Sequence, residues 1–335
     1  MEPQITVVIL SNDIERKELL IEAVSSATSQ EIDQQVVEII VIKTYVDVDL
    51  DLLLLKKNIK SIKLSKGPLG EKVSAGIASA RGEIISFLED DDLFSVSKAT
   101  KMLELFSKFE NLVYCHNSFL EIDIKSKPIE TNKLKQIKSD KLIHSPVNEA
   151  SQLKGLLKFQ PASGLSSISI RKSNLIDYLE VIKEFNFLTD SAIFFLSSLK
   201  GGDFYLSSEI LTYYRIHNSG TRGSQTFEEF INKRKGLLEQ INGGYSLLLN
   251  LTQSKSISSI IRCQLDFFNV ELSKLSIRNL DLHLFVKTFK LLLCAINRCL
   301  YLDFKHLISL GLSLLNPQLV LYKSFLNEYN YGKTN

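Results

Sequence analysis

Short, mostly apolar runs alternate with segments of helical spacing over the first third of the chain. Residues 5–10 and 36–42 are almost continuously apolar, which is typical of strands buried on both faces of a parallel sheet. Between them, residues 15–27 repeat apolar side chains every three or four positions and predict a helix. A second helix is predicted over residues 71–81, and a strand over residues 84–88 follows it. This alternation predicts an α/β fold, with a mostly parallel sheet covered by helices.

The remaining pattern is less regular. Residues 50–57 do not distinguish a helix from a strand, whereas residues 59–64 favour a short edge strand. The polar, lysine-rich residues 125–145 predict a surface loop. Further strands are predicted at 112–115, 119–124, 166–170, 204–206 and 210–216, and further helices at 97–109, 175–182 and from 190 onward.

A different pattern begins after residue 223. From residue 227 to residue 329, long apolar stripes at helical spacing with few strand signals predict a helical appendage. We therefore expect two domains, residues 1–223 and residues 224–335. Within the appendage, Leu282–Leu302 is notably apolar, and packing in a helical bundle is favoured over an amphipathic helix on an acidic lipid surface.

Composition and charge narrow the class of protein. The formal net charge of +2 gives no reason to expect a nucleic-acid partner. The four cysteines form no CxxC pair, so we expect reduced, mostly buried thiols in a cytoplasmic protein. We expect no signal peptide, because Met1 leads almost directly into a predicted strand. No stretch reaches the ~18 uncharged apolar residues of a membrane-spanning helix.

Four carboxylates follow the strand predicted at residues 84–88: Glu89, Asp90, Asp91 and Asp92. Adjacent carboxylates repel each other unless water or a cation stabilises them. Magnesium and similar hard cations are usually held by one or two carboxylates together with substrate phosphates. In open α/β sheets, ligands bind at the carboxyl ends of strands. These residues indicate a metal-assisted phosphate site, with an acidic loop or the N-terminus of a helix as the alternative.

The segment GEIISFLEDDDLF, residues 82–94, resembles the segment that carries the aspartate motif of family 2 glycosyltransferases, which have the Rossmann-like GT-A fold. Three more segments resemble that family in the same order: ITVVILSND, GPLGEKVSAGIASARGE and FLTDSAIFFLSSLKGGDFYLSSEILTYYRIHNSGT. Together they span residues 5–221. The resemblance implies a GT-A core and the transfer of a sugar from a nucleotide-diphosphate donor to an acceptor hydroxyl.

By this resemblance, Glu89 and Asp91 fall on the carboxylates of the family's DxD motif. Asp91 is expected to bind the divalent cation, Mn²⁺ or Mg²⁺, that bridges the donor's two phosphates. Asp90 or Glu89 is expected to face the hydroxyls of the ribose or the sugar. For Asp92 we expect a helix N-cap instead.

Asp190 falls on the family's catalytic aspartate. In inverting members this residue takes the proton from the acceptor hydroxyl as the oxygen attacks the anomeric carbon. Thr189 precedes it here in place of the usual glutamate, so the match is incomplete. The alternative is that Thr189 or Asp190 only caps the apolar helix that follows.

Five other residues are implied by the family's pattern. His217 is expected to reach the metal or the diphosphate, and Arg215 to pair with phosphate or with a carboxylate. Gly164 is expected to lie in a loop beside the donor sugar, with an ordinary turn as the alternative. Lys72 is expected to contact phosphate, although its spacing is off by one residue, and Ser11 to line the base pocket.

The chain also departs from the family. The second strand of family members usually ends in Asp-Asp-Gly-Ser, and here Lys43-Thr44 stand in this region. The carboxylate that would read the base is therefore missing or displaced to Asp47. A catalytically degenerate GT-A protein that acts as a binding or scaffold protein remains the alternative function. A nucleotidyltransferase is disfavoured, because Ser11-Asn12-Asp13 is not the glycine- and arginine-rich loop of that class.

The resulting expectation is a metal-dependent, inverting glycosyltransferase with a nucleotide-diphospho-sugar donor. Its acceptor would be a glycan, a lipid-linked sugar or a cell-surface polymer precursor. The helical appendage is expected either to dock on the cytoplasmic face of a membrane or to form a homodimer.

Overall fold

The computed structural model describes residues 2–129, 137–144, 162–216, 226–276, 286 and 321–326. The chain divides into two compact units. The first comprises Met1–Val147 and Phe159–Ile216, and the second comprises Asn148–Lys158 and His217–Asn335. The domain boundary between residues 223 and 224 stays a prediction.

The first half of unit one alternates strands and helices as the sequence predicts. Three strands, β1 (Ile5–Ser11), β2 (Val37–Lys43) and β4 (Ile84–Glu89), carry the apolar runs, and β3 (Lys60–Lys63) is the predicted edge strand. The helices between them are α1 (Lys17–Thr28), α2 (Val48–Lys56) and α3 (Leu69–Ser79). The ambiguous residues 50–57 thus belong mostly to α2, which Asp47 caps by accepting a hydrogen bond from the Leu50 amide.

The second half of unit one mixes short and long elements. Its strands are β5 (Leu93–Phe94), β6 (Leu112–Ile122), β7 (Lys141–Ile143), β8 (Ile168–Arg171) and β9 (Asp203–Arg215). Its helices are α4 (Lys98–Lys108), α5 (Lys172–Leu175), α6 (Leu179–Lys183) and α7 (Thr189–Lys200). The strands predicted at 112–115 and 119–124 form the single strand β6, and those predicted at 204–206 and 210–216 form β9. Polar residues in the middle of each strand interrupt the apolar pattern and led to the division.

One sheet joins these nine strands in the order β3-β2-β1-β4-β8-β6-β9-β5, and β7 pairs with β9. The longest ladders are parallel: β1 with β2 and β4, and β6 with β9. Strand β8 runs antiparallel between β4 and β6. Because β1 and β4 are parallel neighbours, their carboxyl ends lie side by side, and there Leu10 is paired with Glu89.

Apolar packing on both faces of the sheet fixes this edge. On one face Leu20 of α1 and Leu54 of α2 are fully buried in the same cluster as Ile9 of β1. On the other face α3 packs so closely that a Cβ at Gly76 would lie 2.4 Å from a methyl carbon of Val8. Each fully buried large apolar side chain contributes about 1.5–3 kcal/mol. The loops at the carboxyl ends therefore start from rigid strands.

Unit two is helical where it is described. Helix α8 (Phe227–Leu251) begins at Thr226, whose hydroxyl accepts a hydrogen bond from the Glu229 amide, and α9 (Lys255–Ser276) follows. The rings of Tyr245 and Phe268 stack at 5.6 Å between the two helices. The prediction of helices after residue 223 is confirmed for these two segments. The segment Leu282–Leu302 lies, apart from residue 286, outside the described residues. None of the helices in the described part of the chain is long and apolar enough to cross a membrane.

Candidate active site

Four carboxylates form a turn between β4 and β5, which we call the carboxylate turn (Glu89–Asp92). The Asp90 amide donates to the Leu10 carbonyl at 3.2 Å, so the turn continues the pairing of β4 with β1. The side chains of Asp90 and Asp92 are buried, and that of Asp91 is 16% exposed. Burial first, and then the neighbouring carboxylates, raises the pKa of Glu89 well above its usual value. The protein by itself therefore disfavours ionisation of all four carboxylates at once.

The loop after β1 supplies donors to this turn. Nη1 of Arg16 lies 2.9 Å from Oδ2 of Asp91 and 3.3 Å from Oδ1 of Asp90. The Asn12 amide donates to the other Asp90 oxygen at 3.3 Å. Burial nevertheless keeps the pKa of Asp90 above its usual value, with the Asp91 charge adding to the effect. Sequence analysis missed Arg16, although its position just after a strand parallel to β4 could have indicated it.

Asp92 does not cap a helix, so that prediction is wrong. Helix α4 begins at Lys98, and its N-cap position is Ser97. Oδ1 of Asp92 instead accepts a hydrogen bond from the Arg215 amide at 2.9 Å. Oδ2 of Asp92 is buried and accepts no hydrogen bond from the described residues. Burial, and after it the Asp91 charge, raises the pKa of Asp92 to about 8.

The guanidinium of Arg215 is buried against protein atoms. Its Nε donates to the Asp91 carbonyl at 2.7 Å, and its Nη2 pairs with Oε2 of Glu22 at 2.7 Å. Its Nη1 donates to the Ile124 carbonyl at 3.0 Å. Arg215 thus pairs with a carboxylate, one of the two roles expected from the sequence, and its contact with the Asp91 carbonyl holds the backbone of the turn. A role for Arg215 in contacting phosphate stays a prediction.

Asp190 lies in the first turn of α7 and is held by two backbone amides. Its Oδ2 accepts from Gly164 at 3.1 Å, and its Oδ1 accepts from Ser191 at 2.8 Å. The helix cap is Leu188, in the left-handed region at φ 62°, so the interpretation of Asp190 or Thr189 as the cap is wrong. Burial raises the pKa of Asp190 to about 6. The carboxylate is therefore largely ionised at neutral pH, yet basic enough to accept a proton.

A single loop, residues 162–167, links Asp190 to the carboxylate turn; we call it the glycine loop. Gly164 has a φ of 74°, which directs its amide to Asp190 at little steric cost. Two residues later, Oγ of Ser166 accepts a hydrogen bond from the Glu89 amide at 3.0 Å. The charge of Asp190 also contributes to the raised pKa of Glu89. Asp190 and the turn thus belong to one electrostatic site.

The glycine loop is anchored by His116, which sequence analysis also missed. Burial lowers the pKa of His116 to about 4, so the ring is neutral. Its Nε2 therefore carries the proton that it donates to the Ser163 carbonyl at 2.8 Å. Oγ of Ser191 holds the preceding carbonyl, that of Ala162, at 3.0 Å. Two neutral hydrogen bonds thus fix the loop that positions Asp190.

Lys72 and Ser11 lie on the two elements that flank Asp90. Lys72, on α3, is 1% exposed, and among the described residues no hydrogen bond or ion pair is made by its ammonium. Burial lowers its pKa, although the charges of Glu71 and Asp90 oppose this. Ser11, at the end of β1, shares a 2.9 Å hydrogen bond with the Tyr45 hydroxyl. The structure therefore brings both predicted residues to the edge that carries the turn.

The residues around the predicted base pocket are engaged with one another. Nζ of Lys43 donates to the Tyr45 carbonyl at 2.9 Å and to Asp51 at 3.0 Å. Asp47 caps α2 and pairs with Lys17 at 2.7 Å. The displaced base-reading carboxylate suggested for Asp47 stays a prediction.

The residues that would hold a metal are only partly described, because His217 lies outside the described residues. Within the described ranges, no three His, Cys, Asp or Glu side chains are grouped so that they could hold a metal ion by themselves. A divalent cation that is bound together with phosphates needs only one or two carboxylates. Asp91, partly exposed among carboxylates of raised pKa, fits that requirement.

A surface cavity of about 630 Å³ lies elsewhere, at the amino ends of β2 and β3. Its lining includes Glu38, Lys57 and Arg81 and none of the predicted site residues. The candidate site is thus at the opposite ends of these strands from the cavity.

Comparison with known proteins agrees with this architecture. Residues 7–145 match the family model described as Glycosyl transferase family 2. The family resemblance inferred from the sequence motifs is therefore confirmed for this part of the chain. No curated protein matches the chain in sequence.

Solved structures extend the similarity over 92% of this chain. The crystal structure of S. aureus TarS 1-349 in complex with UDP-GlcNAc has a TM-score of 0.52 at 12% identity, and 91% of that chain is covered. The complex of the same protein with UDP has a TM-score of 0.51 at 12% identity, and 90% is covered. A structure of TarS of which only 55% is covered has a TM-score of 0.50 at 13% identity. At this level of identity the similarity establishes the fold, and the fold class predicted from the sequence is confirmed.

Proposed function

We propose that this chain transfers a sugar from a nucleoside-diphosphate donor to an acceptor hydroxyl, with inversion at the anomeric carbon and with help from a divalent cation. The observation that carries the proposal is the link through the glycine loop. That loop hydrogen-bonds Asp190 at one position and the backbone of the carboxylate turn two residues later. This link supports a site in which Asp190 would act as the base and the carboxylate turn would face the phosphates.

Asp190 has the properties of a general base. Two amide hydrogen bonds orient its carboxylate, and burial raises its pKa to about 6. It accepts the proton of the acceptor hydroxyl while that oxygen bonds to the anomeric carbon and the bond from this carbon to the diphosphate breaks. The attack is from the face opposite the leaving group, so the configuration inverts. The proton, the sugar and the leaving nucleoside diphosphate are then all accounted for.

The charge of the diphosphate would be met by residues at the carboxylate turn. Asp91 would hold a divalent cation, which would supply Lewis-acid stabilisation of the negative charge on the leaving diphosphate. Lys72, whose buried ammonium makes no hydrogen bond to the described residues, is suited to donate to a phosphate oxygen. Glu89 and Asp90 would orient hydroxyls of the donor.

The structural neighbours support a uridine nucleotide as the donor's leaving group, since TarS was crystallised with UDP and with UDP-GlcNAc. The acceptor would be a glycan, a lipid-linked sugar or a cell-surface polymer precursor, as the family resemblance implies. The helical appendage would contact a membrane surface or a second copy of the chain.

The experiment that tests the donor site compares thermal midpoints with UDP and UDP-sugars, with and without Mn²⁺. A ligand that binds only the folded protein raises the midpoint. We expect a shift that depends on Mn²⁺ and is lost in Asp91→Asn. Asp177→Asn is the matched control, because that aspartate is 70% exposed and pairs with Lys200 on the surface. A shift that Asp91→Asn leaves intact would contradict the role of Asp91.

A catalytically degenerate binding protein is the second candidate. It is favoured by Thr189, which is 1% exposed and donates to the Phe185 carbonyl at 3.3 Å, where the family usually has a glutamate. On this alternative the chain binds a nucleotide, and Asp190→Asn changes no rate of UDP release. Loss of sugar transfer in that variant would exclude it.

A further inference from the structure

Arg16 is the cation that contacts two carboxylates of the turn at once. A single nitrogen, Nη1, lies 2.9 Å from Oδ2 of Asp91 and 3.3 Å from Oδ1 of Asp90. The pairing joins the loop after β1 to the turn after β4, across 74 and 75 residues of sequence. It is a charge-assisted contact to the carboxylate that the proposed function assigns to the divalent cation.

Two cations cannot share this carboxylate without cost. A divalent ion on Asp91 would stand next to the guanidinium, and like charges a few ångströms apart repel strongly in a partly buried site. The side chain of Arg16 is 25% exposed and lies at the end of the short 3-10 turn Ile14–Arg16. It can therefore move without opening a gap in the apolar core.

Two buried polar groups of the site could bind a ligand. Oδ2 of Asp92, in a side chain that is 1% exposed, accepts no hydrogen bond from the described residues. The ammonium of Lys72, also 1% exposed, makes no hydrogen bond to the described residues, although the charge of Asp90 affects its pKa. The Asp92 carboxyl oxygen could accept from a donor or bind a cation once ionised, and the Lys72 ammonium could donate to a phosphate oxygen.

We propose that Arg16 is a resident counter-ion that a divalent cation must displace from Asp91, and that the released guanidinium then pairs with the donor's diphosphate. The metal alone would bind weakly, because it competes with Arg16. The nucleotide removes that competition by giving the guanidinium another anion. Metal and nucleotide therefore bind cooperatively. This inference rests on the proposed function for the nucleotide, but the competition between Arg16 and the metal is measurable without any nucleotide.

The test is calorimetric titration of Mn²⁺ and of UDP, each alone and in the presence of the other, into the wild-type full chain and Arg16→Gln. Arg16→Gln should bind Mn²⁺ alone about tenfold more tightly and UDP without metal about tenfold more weakly, within the usual range of coupling between two ligands. Arg16→Lys keeps the positive charge and should stay close to the wild type for Mn²⁺ alone. Lys17→Gln is the matched control, because it removes one charge at the next residue, where the ammonium pairs with Asp47 at 2.7 Å. It should leave the Mn²⁺ affinity unchanged.

The outcomes separate this inference from the proposed function. Equal Mn²⁺ affinity in the wild type and Arg16→Gln would overturn the inference, as would tighter Mn²⁺ binding in Lys17→Gln to the same extent. Failure of both proteins to bind Mn²⁺ would overturn it as well. Tighter Mn²⁺ binding by Arg16→Gln, together with no UDP binding by any variant, would support the displacement and contradict the proposed function. Far-UV circular dichroism of each variant checks that it is folded.

Discussion

Buried carboxylates occur at both ends of the parallel strands, and their pKa values are shifted in opposite directions at the two ends. At the amino end Glu38 accepts hydrogen bonds from the Thr6 hydroxyl at 2.8 Å and from the Arg81 amide and Nε at 2.7 Å each. Burial acts to raise the pKa of Glu38, but these hydrogen bonds outweigh it and the pKa is lowered. At the carboxyl end, burial prevails and the pKa values of Glu89, Asp90 and Asp92 are raised.

The difference separates a carboxylate that its own chain compensates from the carboxylates of the candidate site. Glu38 is satisfied by its own chain and ties β2 to the end of α3. In the carboxylate turn, burial and the neighbouring carboxylates disfavour ionisation, and a ligand's cation would compensate the charge of the ionised form. The contrast between the two ends thus predicts which substitutions remove activity and which remove stability.

The largest effect is expected for Asp190→Asn. The amide keeps the shape of the carboxylate but cannot accept the proton, so the rate of sugar transfer should fall by about 10²–10⁴-fold, the usual contribution of a general base. The measurement is release of the nucleoside diphosphate from a UDP-sugar that raises the thermal midpoint, with donor affinity measured in parallel. Asp177→Asn should keep the full rate, and an unchanged rate in Asp190→Asn would contradict the assignment of the base.

The next largest effect is expected in the dependence of kcat/KM on pH, on the acid side. Because burial raises the pKa of Asp190 to about 6, the base is protonated below that pH and ionised above it. The value of kcat/KM should therefore fall about tenfold per pH unit below pH 6 and level off towards pH 7. A profile that stays flat down to pH 4.5 would indicate that another group is the base.

At the amino end, Glu38→Gln should lower stability. It removes charge-assisted hydrogen bonds to Thr6 and Arg81, for an expected cost of about 1–2 kcal/mol and a lower thermal midpoint by several degrees. Because the pKa of Glu38 is lowered by folding, its contribution is present above the unfolded-state value near 4.5 and is lost as the pH falls through the folded-state value. The wild type and the variant should therefore converge in acid. Glu83→Gln, whose side chain is 66% exposed and pairs with Arg171, is the matched control and should change the midpoint little.

The smallest expected effect is an increase in stability. Asp92→Asn keeps an oxygen for the Arg215 amide and removes a charge that burial disfavours, so the metal-free protein should become more stable at pH 8. The stability that protonated Asp92 provides is complete below pH 3.8 and is lost as the pH rises towards about 8. The gain in thermal midpoint, about 2–4 °C for each kcal/mol recovered, should therefore disappear near pH 4. A lower midpoint at pH 8 would show that Asp92 is compensated like Glu38.

Much of the secondary structure of unit one could be predicted because short stretches of sequence identify its strands and helices. The apolar runs of β1, β2 and β4 are long enough to identify buried strands, and a parallel sheet requires their carboxyl ends to meet at one edge. The carboxylates after Phe87 and Leu88 therefore had to lie beside the end of β1. The family motifs added Asp190 and Gly164, which the structure joins by a hydrogen bond of 3.1 Å.

Predictions from local patterns were wrong where a strand or side chain pairs with a partner that is distant in sequence. The polar residues of β9 led to two short strands being predicted, because the pairing with β6 that holds this strand together is invisible along the chain. Asp92 was expected to cap a helix because an aspartate before an apolar segment usually does. Its actual donor is the Arg215 amide, 123 residues away.

The sequence by itself determined the order of most strands and helices, the family resemblance and the carboxylates that end β4, because each depends on residues close together in the chain. Only the tertiary structure decided the charge balance of the site. Arg16, Arg215 and His116 reach it from three separate strands or loops, and burial then sets whether each carboxylate is compensated. Desolvation and long-range pairing depend on what surrounds a group in space, and no local pattern encodes that.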